Sequence, residues 1–358
     1  MTPTLGHLIG FALDVSGSME ASIQNASGGS ESRLDSIKGA LDTLLAEAER
    51  LTGTGIADES ESQLYFFAYA FGLKIGNGYG DLFRLLDCKH DLELLSSGRT
   101  DELSSLVRDI VEGKAKKLQA SYEPRLQYDE RGVAIEVMGF SAHRLLSMSR
   151  EQAERELRRA LTDHIRARIG PAVVTELLKK DLTVSLSELT NRWKSLRDGI
   201  SMSNDVLGGS TPMTATLKEI AERFKRERAN RANPSCTLFI VSDGAATDGD
   251  PRPVASMMAA DGVRIVSCFV SEQNVIEPRR LYVQYDATWP EGARFMFEMA
   301  SLLPVPGPEA DYLARIGWKT VTDGRMFAQI NQSDLLSEFM NVVIAPIEAE
   351  HGTTNQPR

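Results

Sequence analysis

The sequence predicts an α/β fold in which a doubly wound, mostly parallel sheet is flanked by helices. The first observation is the run HLIGFALD at 7–14, which is apolar on both faces and therefore typical of a buried parallel strand. The second is that similar runs at 63–72, 236–244 and 262–270 alternate with helical stretches. The third is that this alternation resumes after a long helical interruption. Strands that alternate with helices indicate a doubly wound sheet.

The first predicted helix spans 33–50, where apolar side chains recur three and four residues apart. The polar connection before it, ASIQNASGGSESR, is longer than most loops between a strand and a helix. Near the end of the chain, 324–330 is predicted as the last strand and 333–344 as the last helix. The polar residues 348–358 are expected to be a disordered tail.

A largely helical region interrupts this alternation. Ser149 and Gln152 form a capping-box pattern that starts a helix, which is predicted to end at Pro171. A β-hairpin is predicted over 125–140. We therefore expect an α/β domain built from 1–72 and 205–347, an inserted and mainly helical subdomain over 73–204, and the tail at 348–358.

The composition is that of a soluble globular protein, since 42% of the 358 residues are hydrophobic and 25% are charged. The net charge of −10 argues against a dedicated nucleic-acid binder, because such proteins usually carry a basic excess. No run of roughly 18 apolar residues could span a membrane, and no charged leader precedes the first strand. The three cysteines are scattered, which favours reduced, buried thiols. We expect a cytoplasmic protein.

Oxygen-bearing side chains stand at the ends of two predicted strands. Asp14, Ser16 and Ser18 close the first strand, and Asp243 closes a later one. The spacing predicts an extended turn from which Ser16 and Ser18 project the same way. Thr211 stands in a third polar loop, directly before a proline that begins a helix. Open α/β sheets bind their ligands at the carboxyl ends of the strands. Two carboxylates and three hydroxyls there suit Mg²⁺ or Mn²⁺ better than zinc.

Two alternatives remain open for these residues. Thr100 also follows a glycine-containing stretch and opens a predicted helix, but the helical region would then separate it from Asp243. Thr211 leaves room before Asp243 for one helix and one strand, so we favour Thr211. Each residue alone could also be structural, with Asp14 as a turn former and Thr211 as a helix cap. Their joint occurrence favours a site.

The motifs DVSGSM, GGSTP and VSDG, in this order, resemble the von Willebrand factor A (vWA) domain and its metal-ion-dependent adhesion site (MIDAS). The family pattern is D-x-S-x-S, then a threonine, then an aspartate, and it is complete here. The resemblance covers about 1–72 and 205–345. The helical region between these parts has no counterpart in it.

The resemblance implies roles for the site residues. Ser16, Ser18 and sometimes Thr211 would bind Mg²⁺ or Mn²⁺ directly, and Asp14 or Asp243 would contribute through water. A cation held mainly by neutral hydroxyls can accept an Asp or Glu carboxylate of a protein partner as its sixth ligand. The resemblance therefore implies a metal-dependent protein-interaction module that breaks no bond.

The alternatives to this function are a metal-dependent phosphohydrolase and a scaffold with a structural metal. Haloacid-dehalogenase phosphotransferases also begin with an Asp at the end of the first strand. They need a second carboxylate two residues later, where this chain has Ser16. The LDVSGSM form resembles intracellular bacterial members of the vWA family. That likeness implies a complex with an AAA+ ATPase, or a role in stress or anti-phage defence. From the composition and charge, neither a membrane nor nucleic acid is expected as partner.

Overall fold

The computed structural model describes residues 6–24, 30–51, 64–121, 125–128, 134–138, 148–199, 208–231, 234–271 and 275–343. The chain forms two compact units. The first, which we call the α/β unit, is Met1–Leu86 with Asp181–Arg358, and the second, the helical unit, is Asp87–Lys180. The helical unit is shorter than the insertion expected over 73–204, because residues on both of its flanks belong to the α/β unit.

The described elements follow one another as strands and helices of very different lengths. The strands are β1 (His7–Asp14), β2 (Ser22–Gln24), β3 (Ser30–Ser32), β4 (Leu64–Phe71), β5 (Tyr79–Asp81), β6 (Arg125–Tyr128), β7 (Ala134–Met138), β8 (Val184–Ser185), β9 (Ser235–Ser242), β10 (Val263–Val270) and β11 (Phe327–Ile330). The α-helices are α1 (Arg33–Leu51), α2 (Leu82–Asp87), α3 (Lys89–Ser96), α4 (Ser105–Ser121), α5 (Arg150–Leu177), α6 (Leu186–Gly199), α7 (Met213–Ala229), α8 (Arg252–Ala260), α9 (Glu291–Met299), α10 (Pro308–Arg315) and α11 (Ser333–Met340). Short 3₁₀ helices lie at Gly17–Glu20, Thr100–Glu102 and Asn341–Val343.

The α/β unit is built on a seven-stranded sheet of order β11-β10-β9-β1-β4-β5, in which β8 also pairs with β4. β1 pairs in parallel with β4 and β9, and β10 pairs in parallel with β9 and β11. β5 and β8 run antiparallel to β4. The predicted doubly wound, mostly parallel sheet is confirmed, and its five parallel strands are those predicted from the sequence.

The packing of β1 explains why this strand is apolar on both faces. Leu8 and Ala12 belong to one buried cluster with residues of α7, α8 and α9. Ile9, Phe11 and Leu13 alternate with them, point to the opposite face and are equally buried. α1 packs against α6 and α11, whose residues lie outside this cluster. β1 is therefore a central strand with packed layers on both sides.

Gly10 allows α7 to approach the centre of β1. A β-carbon at Gly10 would lie 2.5 Å from the Phe67 ring and 3.0 Å from the Phe224 ring. These two rings pack edge to face with centroids 5.0 Å apart. A larger residue at position 10 would push α7 away from the sheet. Because α7 starts two residues after Thr211, this close packing also positions the threonine.

The helical unit packs α3, α4 and α5 around its own core. The predicted hairpin is confirmed as the antiparallel pair of β6 and β7. The predicted end of the long helix is wrong, because α5 runs through Pro171 to Leu177. Burial of Val173 and Leu177 contributes about 1.5–3 kcal/mol each, which offsets the roughly 3 kcal/mol cost of an interior proline. The buried cluster contains Cys88, Leu94, Leu103, Val107, Ile169, Val173 and Leu177.

Three further predictions concern single features of the chain. Cys88, Cys236 and Cys268 are buried thiols that form no disulfide, as predicted. None of the helices in the described ranges combines the length and the apolar character that a membrane span requires. The tail at 348–358 lies outside the described residues.

Candidate metal centre

Three loops meet beside the carboxyl ends of β1, β4 and β9. They are the first loop (15–21, after β1), the second loop (208–212, before α7) and the third loop (243–251, after β9). The backbone N–H of Gly208 donates to the carbonyl oxygen of Val15 across 3.1 Å, which joins the second loop to the first. The N–H of Thr247 donates to the carbonyl oxygen of Thr211 across 2.9 Å, which joins the third loop to the second. The structure therefore brings together the loops that carry Ser16, Ser18, Thr211 and Asp243, and Asp14 directly precedes the first of them as the last residue of β1.

Gly72, directly after β4, allows the first loop to lie against the end of this strand. Its φ is +92°, and a β-carbon there would lie 2.4 Å from the backbone nitrogen of Ser16. Only glycine combines this conformation with this close approach. The carbonyl oxygen of Gly72 accepts a 2.7 Å hydrogen bond from the N–H of Gly209. Gly72 thus contacts both the first and the second loop.

Asp14 is completely buried at the end of β1. Its Oδ1 accepts a 2.9 Å hydrogen bond from the backbone N–H of Ser16, and its Oδ2 accepts a 2.6 Å bond from the hydroxyl of Ser242. Burial raises the pKa of Asp14 above its usual value, the two hydrogen-bond partners lower it, and the charge of Asp243 raises it again. A cation placed nearby would favour the charged form of this carboxyl.

Ser16 and Ser18 bring their hydroxyl oxygens to 3.1 Å from each other. The sequence predicts an extended turn here, but the residues after Ser16 form one 3₁₀ turn, Gly17–Glu20. Ser16 itself keeps an extended conformation, with φ −64° and ψ 170°. The two hydroxyls therefore meet, although the backbone between them is more tightly wound than predicted.

Thr211 and Asp243 stand on the second and third loops. Thr211 is buried, with 6% of its surface exposed, and the Asp243 side chain is 21% exposed. The Oδ1 of Asp243 accepts a 3.2 Å hydrogen bond from the N–H of Ala245, which holds the carboxylate over its own turn. The rival candidate, Thr100, is exposed and belongs to the helical unit. Thr211, unlike Thr100, therefore belongs to the same unit as the two aspartates.

The donor set fits a hard divalent cation. It consists of two carboxylates and three hydroxyls, and all of these donors are oxygen atoms. Neighbouring ligands of an octahedral Mg²⁺ lie about 3 Å apart, since each Mg–O bond is about 2.1 Å long. The 3.1 Å between the hydroxyls of Ser16 and Ser18 matches that spacing. Within the described ranges, no three His, Cys, Asp or Glu side chains form a metal-binding group, so this centre depends on its hydroxyls.

Arg33 is a site residue that the sequence did not indicate. It is the first residue of α1, and only 8% of its surface is exposed. Its Nη1 donates to the carbonyl oxygen of Ser18 across 3.0 Å and lies 3.9 Å from Oδ2 of Asp243. No local pattern marks this arginine, because its partners lie 15 or more residues away in the sequence. A positive charge thus stands between the first and third loops.

Asp248, on the third loop, caps α7. Its carboxylate accepts hydrogen bonds from the N–H groups of Thr214, at 3.0 Å, and Ala215, at 2.8 Å. The first N–H groups of a helix lack partners within the helix and favour a negative charge. Asp248 therefore links the third loop to the helix that follows Thr211. The nearby Asp250 pairs with Arg252 instead.

Comparison with known proteins gives a family match for part of the chain. The family model described as von Willebrand factor type A domain matches residues 181–301. This range includes Thr211 and Asp243 and does not include the first loop. No curated protein matches the sequence.

Comparison with solved structures gives matches at low sequence identity and low TM-score. Proximal thread matrix protein 1 from the mussel byssus, with a zinc-occupied MIDAS motif, is 12% identical over 95% of this chain and 48% of its own, with a TM-score of 0.39. BatB from Bacteroides thetaiotaomicron is 11% identical over 97% of this chain and 99% of its own, with a TM-score of 0.30. Manganese-loaded TRAP protein from Plasmodium vivax is 12% identical over 73% and 56%, with a TM-score of 0.27. The chain spans about half the length of the mussel protein.

Proposed function

We propose that the α/β unit is a metal-dependent protein-interaction module. Its site would hold one divalent cation, Mg²⁺ or Mn²⁺, through Asp14, Ser16, Ser18, Thr211 and Asp243. The observation that carries this proposal is that hydrogen bonds join the three loops that carry Ser16, Ser18, Thr211 and Asp243, beside the end of the strand that carries Asp14. The vWA family match over 181–301 supports it for the part that contains Thr211 and Asp243.

The site residues would contribute to cation binding in different ways. Ser16 and Ser18 offer two hydroxyl oxygens at the spacing of neighbouring ligands. Both oxygens of Asp14 already accept hydrogen bonds, which favours a contribution through water. When bound, the cation would supply a Lewis-acidic position for an Asp or Glu carboxylate of the partner. The oxygen donors of the protein would bind the cation and fix the direction in which it accepts the partner's carboxylate.

We propose binding rather than catalysis for this site. Asp14 is completely buried, whereas an attacking carboxylate must contact its substrate. Position 16, where a phosphotransferase would carry its second carboxylate, is a serine. The alternatives are a phosphohydrolase and a scaffold with a structural metal, and the test below distinguishes both from the proposed function.

The biological setting that we propose is a complex inside a bacterial cell. The resemblance of LDVSGSM to intracellular bacterial vWA proteins supports this setting, with an AAA+ ATPase or a stress or defence system as the source of the partner. Affinity purification of the tagged protein from its own cells, in Mg²⁺ and again in EDTA, identifies the partner. A partner protein captured only in Mg²⁺ is the expected result.

The function is tested by metal binding and by the metal dependence of the complex. Titration calorimetry of the full chain with Mn²⁺ should give one site, and Asp14→Ala or Asp243→Ala should remove it. The captured complex should then dissociate in EDTA. A complex that persists in EDTA would make any metal structural only. Phosphatase activity that Asp14→Ala abolishes would assign the protein to the enzymes.

A further inference from the structure

Arg33 is a nearly buried cation whose donors are largely unused. It is 8% exposed, and its Nη1 bonds to the carbonyl oxygen of Ser18. Its Nε is buried and has no hydrogen-bond partner among the residues that the structure describes. The distance of 3.9 Å to Oδ2 of Asp243 is too long for a hydrogen bond. Within the described ranges, the guanidinium of Arg33, which has five N–H donors, thus has one hydrogen-bond acceptor, the carbonyl oxygen of Ser18.

A buried guanidinium with unused donors is costly unless an anion completes its contacts. Arginine suits a carboxylate best, because its planar fork can donate two parallel N–H···O bonds. Asp243, the nearest carboxylate, is also one of the proposed metal ligands. A cation bound there would compete with Arg33 for the same negative charge. The unused donors therefore fit a second, external carboxylate.

The formal charges of the site lead to the same conclusion. Asp14 and Asp243 carry two negative charges, which one Mg²⁺ or Mn²⁺ would neutralise. Arg33 would make the loaded site positive by one charge. The charge of Arg33 weakens the attraction of the unloaded site for the cation, and the positive loaded site attracts an anion; both effects are strong where water is excluded. The metal and an external carboxylate would then bind more tightly together than either does alone.

We propose that Arg33 determines the specificity of this site by holding the partner's carboxylate beside the cation and by weakening cation binding until that carboxylate arrives. This inference rests on the proposed function, since it assigns a second contact to the same partner group. Arg33 acts on the ligand directly through its N–H donors. It acts on the cation through its charge beside Asp243.

The test uses the full chain, with Mn²⁺ as the metal and acetate as the carboxylate. Mn²⁺ affinity is measured by electron paramagnetic resonance, and acetate is followed by its displacement of Mn²⁺-bound water in proton relaxation. Arg33→Gln should bind Mn²⁺ about tenfold more tightly and acetate about tenfold more weakly than the wild type. Arg33→Lys keeps the charge and should retain the wild-type Mn²⁺ affinity. Lys38→Gln removes a charge from the same helix, where Lys38 pairs with Asp35, and should change neither value.

The outcomes separate this inference from the function on which it rests. Weaker Mn²⁺ binding by both Arg33→Gln and Arg33→Lys would make Arg33 a support of the first loop and overturn the inference. Unchanged acetate binding by Arg33→Gln would overturn it as well. A wild type that binds no Mn²⁺ would instead overturn the proposed function, and the inference with it. Thermal unfolding of each variant shows that the comparison is made between folded proteins.

Discussion

The hydroxyl of Ser242 donates a hydrogen bond to Oδ2 of Asp14 across 2.6 Å. The two residues end the neighbouring strands β9 and β1, and both are completely buried. The same serine oxygen accepts the N–H of Gly244 at 3.0 Å. One hydroxyl therefore fixes the orientation of the Asp14 carboxylate and the start of the third loop, on which Asp243 stands.

Ser242→Ala should lower both stability and metal affinity. Removal of the hydroxyl leaves one buried oxygen of Asp14 without its donor, which costs about 1–3 kcal/mol in the free energy of unfolding. The released carboxylate should also bind Mn²⁺ more weakly. Urea denaturation and Mn²⁺ titration measure the two effects.

Ser235→Ala is the matched control for this change. Ser235 lies at the opposite end of β9, where its exposed hydroxyl is 2.6 Å from Nδ1 of His7. Its loss should leave Mn²⁺ affinity unchanged and lower stability by less. Equal Mn²⁺ affinities for Ser242→Ala and the wild type would show that Asp14 takes no part in metal binding.

Arg223→Ala should destabilise the α/β unit strongly. The arginine is 1% exposed on α7 and forms ion pairs with Asp81 at 3.8 Å, with Glu227 at 2.8 Å and with Asp181. Removing one partner of a buried charge pair costs about 3–5 kcal/mol, because the remaining charge is left unpaired. The free energy of unfolding in urea measures the loss.

Lys225→Ala is the control on the same helix, since Lys225 forms an exposed pair with Glu222. Exposed pairs of this kind contribute about 0–1 kcal/mol. A loss for Arg223→Ala no larger than that of the control would mean that Asp81 and its neighbours find other partners.

The contribution of Asp81 to the stability of the α/β unit should fall as the pH rises from about 4 to about 6. Burial raises the pKa of Asp81 from 3.8 to about 6, against the lowering effect of backbone N–H donors at Arg84 and Leu182 and of the charge of Arg223. Between these two pKa values the folded state binds more protons than the unfolded state. Stability is therefore highest below pH 4 as far as this group is concerned, and the loss amounts to about 3 kcal/mol by pH 6.

Asp81→Asn should remove this contribution. The asparagine variant is expected to be less stable at every pH, because it offers one acceptor fewer to the backbone donors. Its free energy of unfolding should nevertheless fall less steeply than that of the wild type between pH 4 and 6. Urea denaturation at several pH values gives both slopes, and equal slopes would show that Asp81 keeps an ordinary pKa in the folded protein.

Local sequence patterns were sufficient to predict the five parallel strands and the loops at their ends. Buried parallel strands are apolar on both faces, and site residues stand at strand ends, so both leave a signal within a few residues. β5 and β8 leave no such signal, because two or three residues form a strand only when β4 is already beside them. Arg33 leaves no local signal either, because its side-chain contacts form only when the start of α1 packs beside the first loop. Long-range contacts of this kind cannot be read from neighbouring residues.

The helical unit should be removable without unfolding the α/β unit. Both chain segments that lead to it are bound to one side chain, because Asp81 accepts the N–H of Arg84 at 2.7 Å and the N–H of Leu182 at 2.8 Å. The chain thus leaves and re-enters the α/β unit close to the same point. A short glycine–serine linker can replace Asp87–Lys180 without straining the sheet.

The shortened protein should fold cooperatively and bind Mn²⁺ with the affinity of the full chain, since the five proposed ligands and Arg33 all belong to the α/β unit. We also predict that it fails to capture the natural partner: a bound cation would accept any accessible carboxylate, so selection of one partner needs further contacts, which we assign to the helical unit. Circular dichroism, Mn²⁺ titration and affinity purification measure the three properties, and Asp243→Ala in the full chain provides the matching protein that has the helical unit but no metal site. Retention of the partner by the shortened protein would place recognition on the α/β unit alone. Failure to fold would show that the core of the α/β unit depends on residues beyond Leu86.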